Sequence, residues 1–374
     1  MLLGTALTLL IGCSELGKRA ESEPFPDAFS LTTYDDQIAP ATDINGLHDS
    51  FKNALDWYTH LRFEGGAMFH ILGVESVRTE QILQLRHRLQ ALIDRLRLTE
   101  TELEVAFADQ ALFIWSDQDD FLENQGWVDD FDVIRSDVLL AELSIAGSEQ
   151  WLENSQDLSW SVAAQAVLRS RWEGENQRLE LQAAFDTSTS TSTWLSQEHL
   201  RFSPLEQYAG VLTSLFYGEP STFGEHTAVS RQTLSEEDPL GAAWISALAP
   251  PFIDFEVRID PQFTGSFYAR RETELSWTQR SQYFRNVKCQ GEFSQDLYAG
   301  AEDHILRGNA ADNLLNGGPG EDLIVVSGAQ AEYDLETTSN GLLLFDSVQG
   351  RDGADLLQEI EVIRFSDGDY FFPQ

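Results

Sequence analysis

Apolar residues recur at helical spacing near the start of the chain. Over residues 48–62 they lie three or four positions apart, after an Asp49-Ser50 pair suited to a helix start, and this predicts a first amphipathic helix. A longer stripe predicts a second helix over residues 76–98. Its apolar positions are Ile82, Leu85, Leu89, Leu92 and Leu96.

The pattern becomes mixed after the second predicted helix. Residues 103–107 alternate and residues 111–115 form an apolar run, so a strand is expected there. The acidic run at 116–132 does not place glycine and glutamate where an EF-hand loop needs them, and we interpret it as a solvated loop. The Ser/Thr run at 187–193 is interpreted as a low-complexity connector. After Pro250-Pro251, alternation predicts strands.

One short segment carries a repeat signature. Residues 317–325, GGPGEDLIV, fit the calcium-binding nonapeptide G-G-x-G-x-D-x-U-x. Glycine permits positive φ in a tight turn, and an aspartate supplies the oxygen that a hard cation requires. The matching positions are Gly317, Gly318, Gly320, Asp322 and Ile324.

Weaker copies flank this segment. Residues 307–315 keep Gly308 and Asp312, residues 298–306 keep Asp303, and residues 349–357 keep Gly353 and Asp355. The first two aspartates are nine positions apart and the next step is ten, so Asn316 is interpreted as an insertion. The alternative interpretation is a pair of Gly/Asp turns between short strands.

From about residue 298 to the C-terminus, the chain resembles the haemolysin-type (repeats-in-toxin, RTX) calcium-binding family. The resemblance implies a parallel β-roll whose loops alternate between two sides, with Ca²⁺ held between loops on one side. Loops ending at Asp303 and Asp322 would share a side, and Asp312 would lie on the other, with Asp355. The resemblance implies metal-site residues Asp303, Gly308, Asp312, Gly317, Gly318, Gly320, Asp322 and Asp355. The tail resembles the β-rich cap that follows such repeats in secreted bacterial proteins.

The N-terminus is typical of a processing signal. The apolar run at 2–11 is too short to span a bilayer. Leu10 to Cys13 resembles the bacterial lipoprotein box, which implies that Cys13 is lipidated, although no basic residue precedes it. The alternative is an ordinary secretory signal. The polar, proline-broken residues 14–44 are expected to form a tether.

The net charge of the chain limits the classes of partner that it is expected to bind. The net charge is −38, and only three of the 24 basic residues are lysines. Such acidity suits high salt or abundant divalent cations, because screening relieves self-repulsion. An acidic secreted protein is the alternative interpretation. Nucleic acid is excluded as an expected partner, since phosphate backbones need a basic footprint.

Candidate chemistry in the body is sparse. The sequence has no HExxH, GxSxG, P-loop, GxGxxG or CxxC motif. Two weak candidates are a cluster of His60, His70 and Glu75, and an acid/base pair at Glu225-His226. The predicted helix at 76–98 also carries five arginines, which either dock an anionic partner or pair internally with acidic neighbours.

These patterns predict an α+β multidomain protein. A signal at 1–13 and a tether at 14–44 precede a mixed α/β body at 45–250. A β-rich segment at 251–297 leads into the calcium-binding roll and cap at 298–374. The expected function is a secreted or cell-surface calcium-binding protein, placed in the cell envelope as an outer-membrane lipoprotein with a protein or polysaccharide partner. The alternative is a secreted hydrolase in which the repeat module aids folding and secretion.

Overall fold

The computed structural model describes residues 38–63, 68–107, 110–128, 131, 133–140, 143–148, 159–170, 175–191, 204–217, 231–269 and 283–372. These residues form a mixed α/β N-terminal region and a β-rich C-terminal region. Cys13, most of the tether, and the pair Glu225-His226 lie outside the described residues.

A five-stranded sheet lies at the centre of the N-terminal region. Its strands, in spatial order, are β1 (Ala39–Pro40), β2 (Trp57–Arg62), β3 (Met68–Gly73), β4 (Gln110–Trp115) and β5 (Ile134–Leu139). Strand β2 pairs antiparallel with both β1 and β3, and β3, β4 and β5 are parallel. Every residue of β3 and β4 is buried. The apolar run at 111–115 is therefore a central strand, as predicted.

Helices pack against this sheet and against one another. They are α1 (Asp49–Ala54), α2 (Thr79–Arg95), α3 (Glu100–Phe107), α4 (Gln118–Val128), α5 (Ser159–Arg169), α6 (Glu175–Thr191), α7 (Pro204–Phe216), α8 (Arg231–Glu237) and α9 (Pro239–Leu248). The prediction of a helix at 76–98 is confirmed by α2, whose apolar stripe is buried. Helices α5 and α7 approach so closely that a Cβ on Gly210 would lie 2.2 Å from the Ser161 Oγ. No helix among the described residues is long and apolar enough to cross a membrane.

The prediction of one helix over residues 48–62 is wrong. Helix α1 ends at Ala54, and Leu55 has extended backbone. Residues 57–62 form β2, in which four consecutive residues are buried. A strand covered on both faces carries apolar residues without strict alternation, so its positions also satisfied a helical spacing.

Three other local predictions were wrong. Residues 103–107 belong to helix α3, and most of the acidic run forms α4. The Asp117 carboxylate accepts hydrogen bonds from the amides of Asp119 and Asp120 at the start of α4. Much of the Ser/Thr run lies in α6, where the Thr187 and Thr189 hydroxyls donate to carbonyls four residues back. Short polar side chains in the last two segments therefore support helices and do not mark loops.

The β-rich region consists of two six-stranded sheets. The first contains β6 (Val257–Arg258), β8 (Asn286–Lys288), β10 (Ile305–Arg307), β12 (Leu323–Val325), β16 (Val362–Phe365) and β17 (Gly368–Phe371). The second contains β7 (Gly265–Tyr268), β9 (Gln295–Tyr298), β11 (Leu314–Asn316), β15 (Ala354–Gln358), β14 (Gly341–Asp346) and β13 (Tyr333–Thr338). Pairing is parallel from β6 to β16 and from β7 to β15, and antiparallel at the edge hairpins. Strands before and after residue 298 share both sheets.

Buried residues recur every nine positions through this region. Leu297, Leu306, Leu315 and Ile324 are each fully buried. They alternate between the two sheets and align with their neighbours in register. This spacing leaves no room for an insertion, so the interpretation of Asn316 was wrong: it is the last residue of β11.

The two regions share one hydrophobic core and a polar contact. The Arg78 guanidinium at the start of α2 donates to the Asp260 carboxylate at 2.7 Å. Arg86 donates to the His60 carbonyl, and Arg88 lies over the Trp160 ring. These three arginines of the predicted basic helix therefore make internal contacts, and Arg78 pairs with the acidic side chains of Glu80 and Asp260.

Candidate metal centre

The loop between β11 and β12 holds a buried carboxylate. Asp322 is fully buried immediately before β12. Its Oδ1 accepts a hydrogen bond of 2.8 Å from the His304 amide and lies 3.2 Å from the His304 Nδ1. Its Oδ2 is buried and has no hydrogen-bond partner among the described residues. A buried oxygen without a partner is costly, so this atom is where the fit of a metal ion can be tested.

The glycines of the same loop lie close to this oxygen. A Cβ on Gly320 would lie 2.8 Å from the Glu302 carbonyl oxygen and 3.2 Å from the Asp322 Oδ2. A Cβ on Gly317 would lie 2.6 Å from the same Oδ2. Gly318 has a φ of +76°, and its Cβ would meet the Gly300 carbonyl oxygen at 2.7 Å. Glycine is needed here both for the turn and for close approach of oxygens.

Burial raises the pKa of the Asp322 carboxyl. Hydrogen bonds from His304 oppose this shift, and the nearby Glu361 carboxylate adds to it. Glu361 also accepts a hydrogen bond of 2.7 Å from the Asp322 amide. With the Glu361 carboxylate nearby, ionisation of the Asp322 carboxyl is therefore unfavourable unless a cation compensates its charge.

A similar arrangement lies between β11 and β15. Asp355 is buried, and its Oδ1 accepts a 2.9 Å hydrogen bond from the Asn313 amide. A Cβ on Gly308 would lie 2.7 Å from both the Asp355 Oδ2 and the Asn313 Oδ1. Burial raises the pKa of Asp355 well above its usual range, and the Asp352 and Asp312 carboxylates contribute to the rise.

Asp303 and Asp312 have different surroundings. Both are exposed. The Asp303 Oδ1 accepts a hydrogen bond from the Glu321 amide at 3.0 Å, and the Asp312 Oδ1 accepts one from the Ala354 amide at 2.9 Å. The structure thus brings Asp303 beside the loop of Asp322 on one side, and Asp312 beside Asp355 on the other.

The fit to a metal ion depends on backbone oxygens. Among the described residues, no group of three or more His, Cys, Asp or Glu side chains is placed to hold a metal. The hard oxygens beside Gly320 are the buried Asp322 Oδ2 and the Glu302 carbonyl oxygen. Such a set suits Ca²⁺, which accepts backbone carbonyls and variable geometry. The residues present therefore fit the ion that the repeat signature implies.

The register changes which residues are equivalent. Because Leu306 pairs with Ile324, Asp322 aligns with His304, not with Asp303. Counting back in steps of nine from Ile324 to Leu315 and Leu306 would have shown this from sequence alone. Sequence reasoning also missed the Glu302 carbonyl and Glu361, since backbone oxygens and contacts across 39 positions carry no local signal.

The histidine cluster expected in the body is only partly formed. His60 and His70 face each other across β2 and β3 and are both buried, whereas Glu75 is exposed. The Tyr58 hydroxyl lies 2.8 Å from the His70 Nδ1. Burial lowers the pKa of His60 to about 4, with help from Arg86, and that of His70 to about 3.

Because these buried histidines have lowered pKa values, we expect the stability of the N-terminal region to fall at acid pH. The pKa values of both histidines in the folded protein lie below the unfolded value of about 6.5. Their contribution to the free energy of unfolding is therefore present above about pH 6.5 and is lost as pH falls towards the folded pKa. A folded pKa that lies one pH unit below the unfolded pKa corresponds to about 1.36 kcal/mol of stability. We expect His60→Gln to flatten the decline in the free energy of unfolding between about pH 6.5 and the folded pKa of about 4. Urea denaturation at each pH measures this, and an unchanged slope in His60→Gln contradicts it.

Comparison with protein-family models, curated proteins and solved structures found no match to this chain.

Proposed function

We propose that this protein is a secreted or cell-surface calcium-binding protein whose β-rich C-terminal region is a β-roll ordered by Ca²⁺. The observation that carries the proposal is the buried Asp322 Oδ2, which lacks a partner among the described residues and lies close to Gly317 and Gly320 of the loop. Without a cation, this carboxylate oxygen is buried with no hydrogen-bond donor among the described residues. A bound Ca²⁺ would supply the missing positive charge.

Calcium suits these donors better than other common ions. Zinc prefers nitrogen and sulfur ligands in a tetrahedral set. Magnesium demands near-ideal octahedral geometry and retains water. The donors here are a carboxylate and carbonyls from two adjacent loops, which matches the hard and flexible coordination of Ca²⁺. We infer a principal site at Asp322 and a second, related site at Asp355, where the Asn313 amide oxygen takes the place of a carbonyl.

The cell envelope is the proposed location. Calcium modules of extracellular proteins typically bind at about 10⁻⁴–10⁻³ M, where the ion is abundant. The segment preceding Cys13 resembles a lipoprotein signal, and the part of the expected tether before residue 38 would then hold the body away from the membrane, since residues 38–44 belong to the fold. The α/β body would act in binding, with a protein or polysaccharide as partner.

Direct calcium titration tests the proposal. Calorimetry on the full chain, after removal of calcium by a chelator, should give saturable binding near about 10⁻⁴–10⁻³ M. Asp322→Ala should weaken the principal site at least about ten-fold, because a hydrogen-bonded or ligating charge contributes about 1.5–3 kcal/mol or more. Asp303→Ala should have a smaller effect, since its carboxylate bonds the Glu321 amide.

Asp334→Ala is the matched control, because Asp334 is an exposed aspartate on β13, away from both loops. The proposal is wrong if the parent shows no saturable binding. It is also wrong if Asp322→Ala binds calcium as tightly as Asp334→Ala does.

A further inference from the structure

Four basic residues cross the outer surface of the first β-rich sheet at the same register. Arg258 pairs with Lys288, and Lys288 with Arg307. One strand farther, at Val325, the row continues to Arg364. We call Arg258, Lys288, Arg307 and Arg364 the basic row. Side chains alternate along a strand, and the adjacent Val287 and Leu306 are fully buried, so the basic row faces outward.

Two members of the basic row, Arg258 and Arg364, form ion pairs with nearby carboxylates. Arg258 pairs with Glu256 at 3.0 Å, and Arg364 pairs with Asp369 at 2.9 Å. Lys288 and Arg307 have no ion pair with any of the described residues. They stand on neighbouring strands about 4.8 Å apart, where like charges directly opposite each other are destabilising. The pair is a local concentration of positive charge in a chain of net charge −38. A bound anion would reduce the repulsion between the two side chains.

A depression of about 360 Å³ lies at this pair. Lys288, Arg307, Gln290, Asn309, Arg351 and Asp352 contribute to its lining. Arg351 is held by Glu332 and Asp346, while Asp352 accepts hydrogen bonds from Ser327 and Tyr333. Lys288 and Arg307 are therefore the lining cations left for a ligand. The volume falls within the range of small-molecule sites.

We propose that this depression binds a sulfate or phosphoryl group, either as a free anion or carried on a small molecule such as a sugar. Arginine presents a planar fork that matches such oxygens, and lysine adds a compact point charge. A long polyanion is disfavoured, since beyond the depression it would cross a strongly acidic surface and be repelled. The proposal is independent of the calcium site.

Equilibrium dialysis with labelled sulfate tests it on the full chain. Chloride replaces sulfate at constant ionic strength, which separates specific binding from general screening. We expect saturable binding that weakens about ten-fold in Lys288→Gln and in Arg307→Gln, as loss of one charge-assisted contact implies. Lys288→Arg should retain binding, which shows that the charge matters and that the fold persists.

Arg364→Gln is the matched control, because it belongs to the basic row but lies outside the depression. Glucose 6-phosphate displacing sulfate at a lower concentration than unlabelled sulfate would identify a sugar-borne group, and equal displacement would identify a free-anion site. The proposal is overturned if no saturable binding occurs. It is also overturned if Arg364→Gln weakens binding as much as Arg307→Gln does, because the outer face and not the depression would then hold the anion.

Discussion

Replacing Asp322 with asparagine is expected to stabilise the calcium-free protein and to abolish the stabilisation that calcium provides. In the parent, the buried Oδ2 has no hydrogen-bond partner among the described residues. An asparagine keeps the acceptor for the His304 amide and replaces that oxygen with a donor for the nearby carbonyls. It also removes a buried charge, which is costly without compensation.

We expect calcium to make the parent more stable than Asp322→Asn. A ligand that binds only the folded state stabilises it by about 2.7 kcal/mol at about 100 times its Kd. The parent should gain on that order, and Asp322→Asn should gain far less. Thermal melts in chelator and in excess calcium measure both effects, with Asp334→Asn as control. A calcium-induced shift in Asp322→Asn equal to that of the parent contradicts the assignment.

The same carboxylate sets a pH dependence in chelator. Its folded pKa is raised above the unfolded value of about 3.9. The contribution of a group with a raised pKa is present below the unfolded pKa and is lost as pH rises through the folded pKa. The calcium-free parent should therefore lose stability relative to Asp322→Asn as pH rises above about 4.

The second large effect, on stability, concerns the buried apolar residues that recur every nine positions in the β-rich region. Leu315 is fully buried between neighbours on β9 and β15. Leu315→Ala removes most of an apolar side chain from a packed core, which typically costs about 2–5 kcal/mol. Denaturant unfolding in saturating calcium measures the change.

Leu314→Ala is the matched control, because the same substitution is made one position earlier on the same strand, at a half-buried residue. It should cost less than Leu315→Ala by at least about 1 kcal/mol. Equal losses for the two variants would contradict the register, since a slip of one residue exchanges the two faces of a strand.

The sequence predicted the elements whose own pattern dictates them. The stripe of α2 is long enough to be unambiguous, and the apolar run of β4 is bounded by polar residues. The glycines of the loop at 317–322 also predicted a turn with positive φ, which the structure has at Gly318. These features depend on residues close together in the chain.

What sequence could not provide depends on tertiary contacts. Residues 57–62 match a helical spacing but are covered on both faces, so burial decides in favour of a strand. The Ser/Thr run is helical because its hydroxyls bond the preceding turn. The partners of Asp322, namely His304 and Glu361, become neighbours only through the sheet register.

Amide hydrogen exchange on the full chain tests the calcium assignment most directly. The His304 and Glu321 amides donate to Asp322 and Asp303, and these bonds join the two loops that would hold the ion. We predict that calcium slows exchange in peptides covering residues 300–325 and leaves those covering α2 unchanged, and that Asp322→Asn removes this protection. Identical exchange in calcium and in chelator over residues 300–325 would contradict the account.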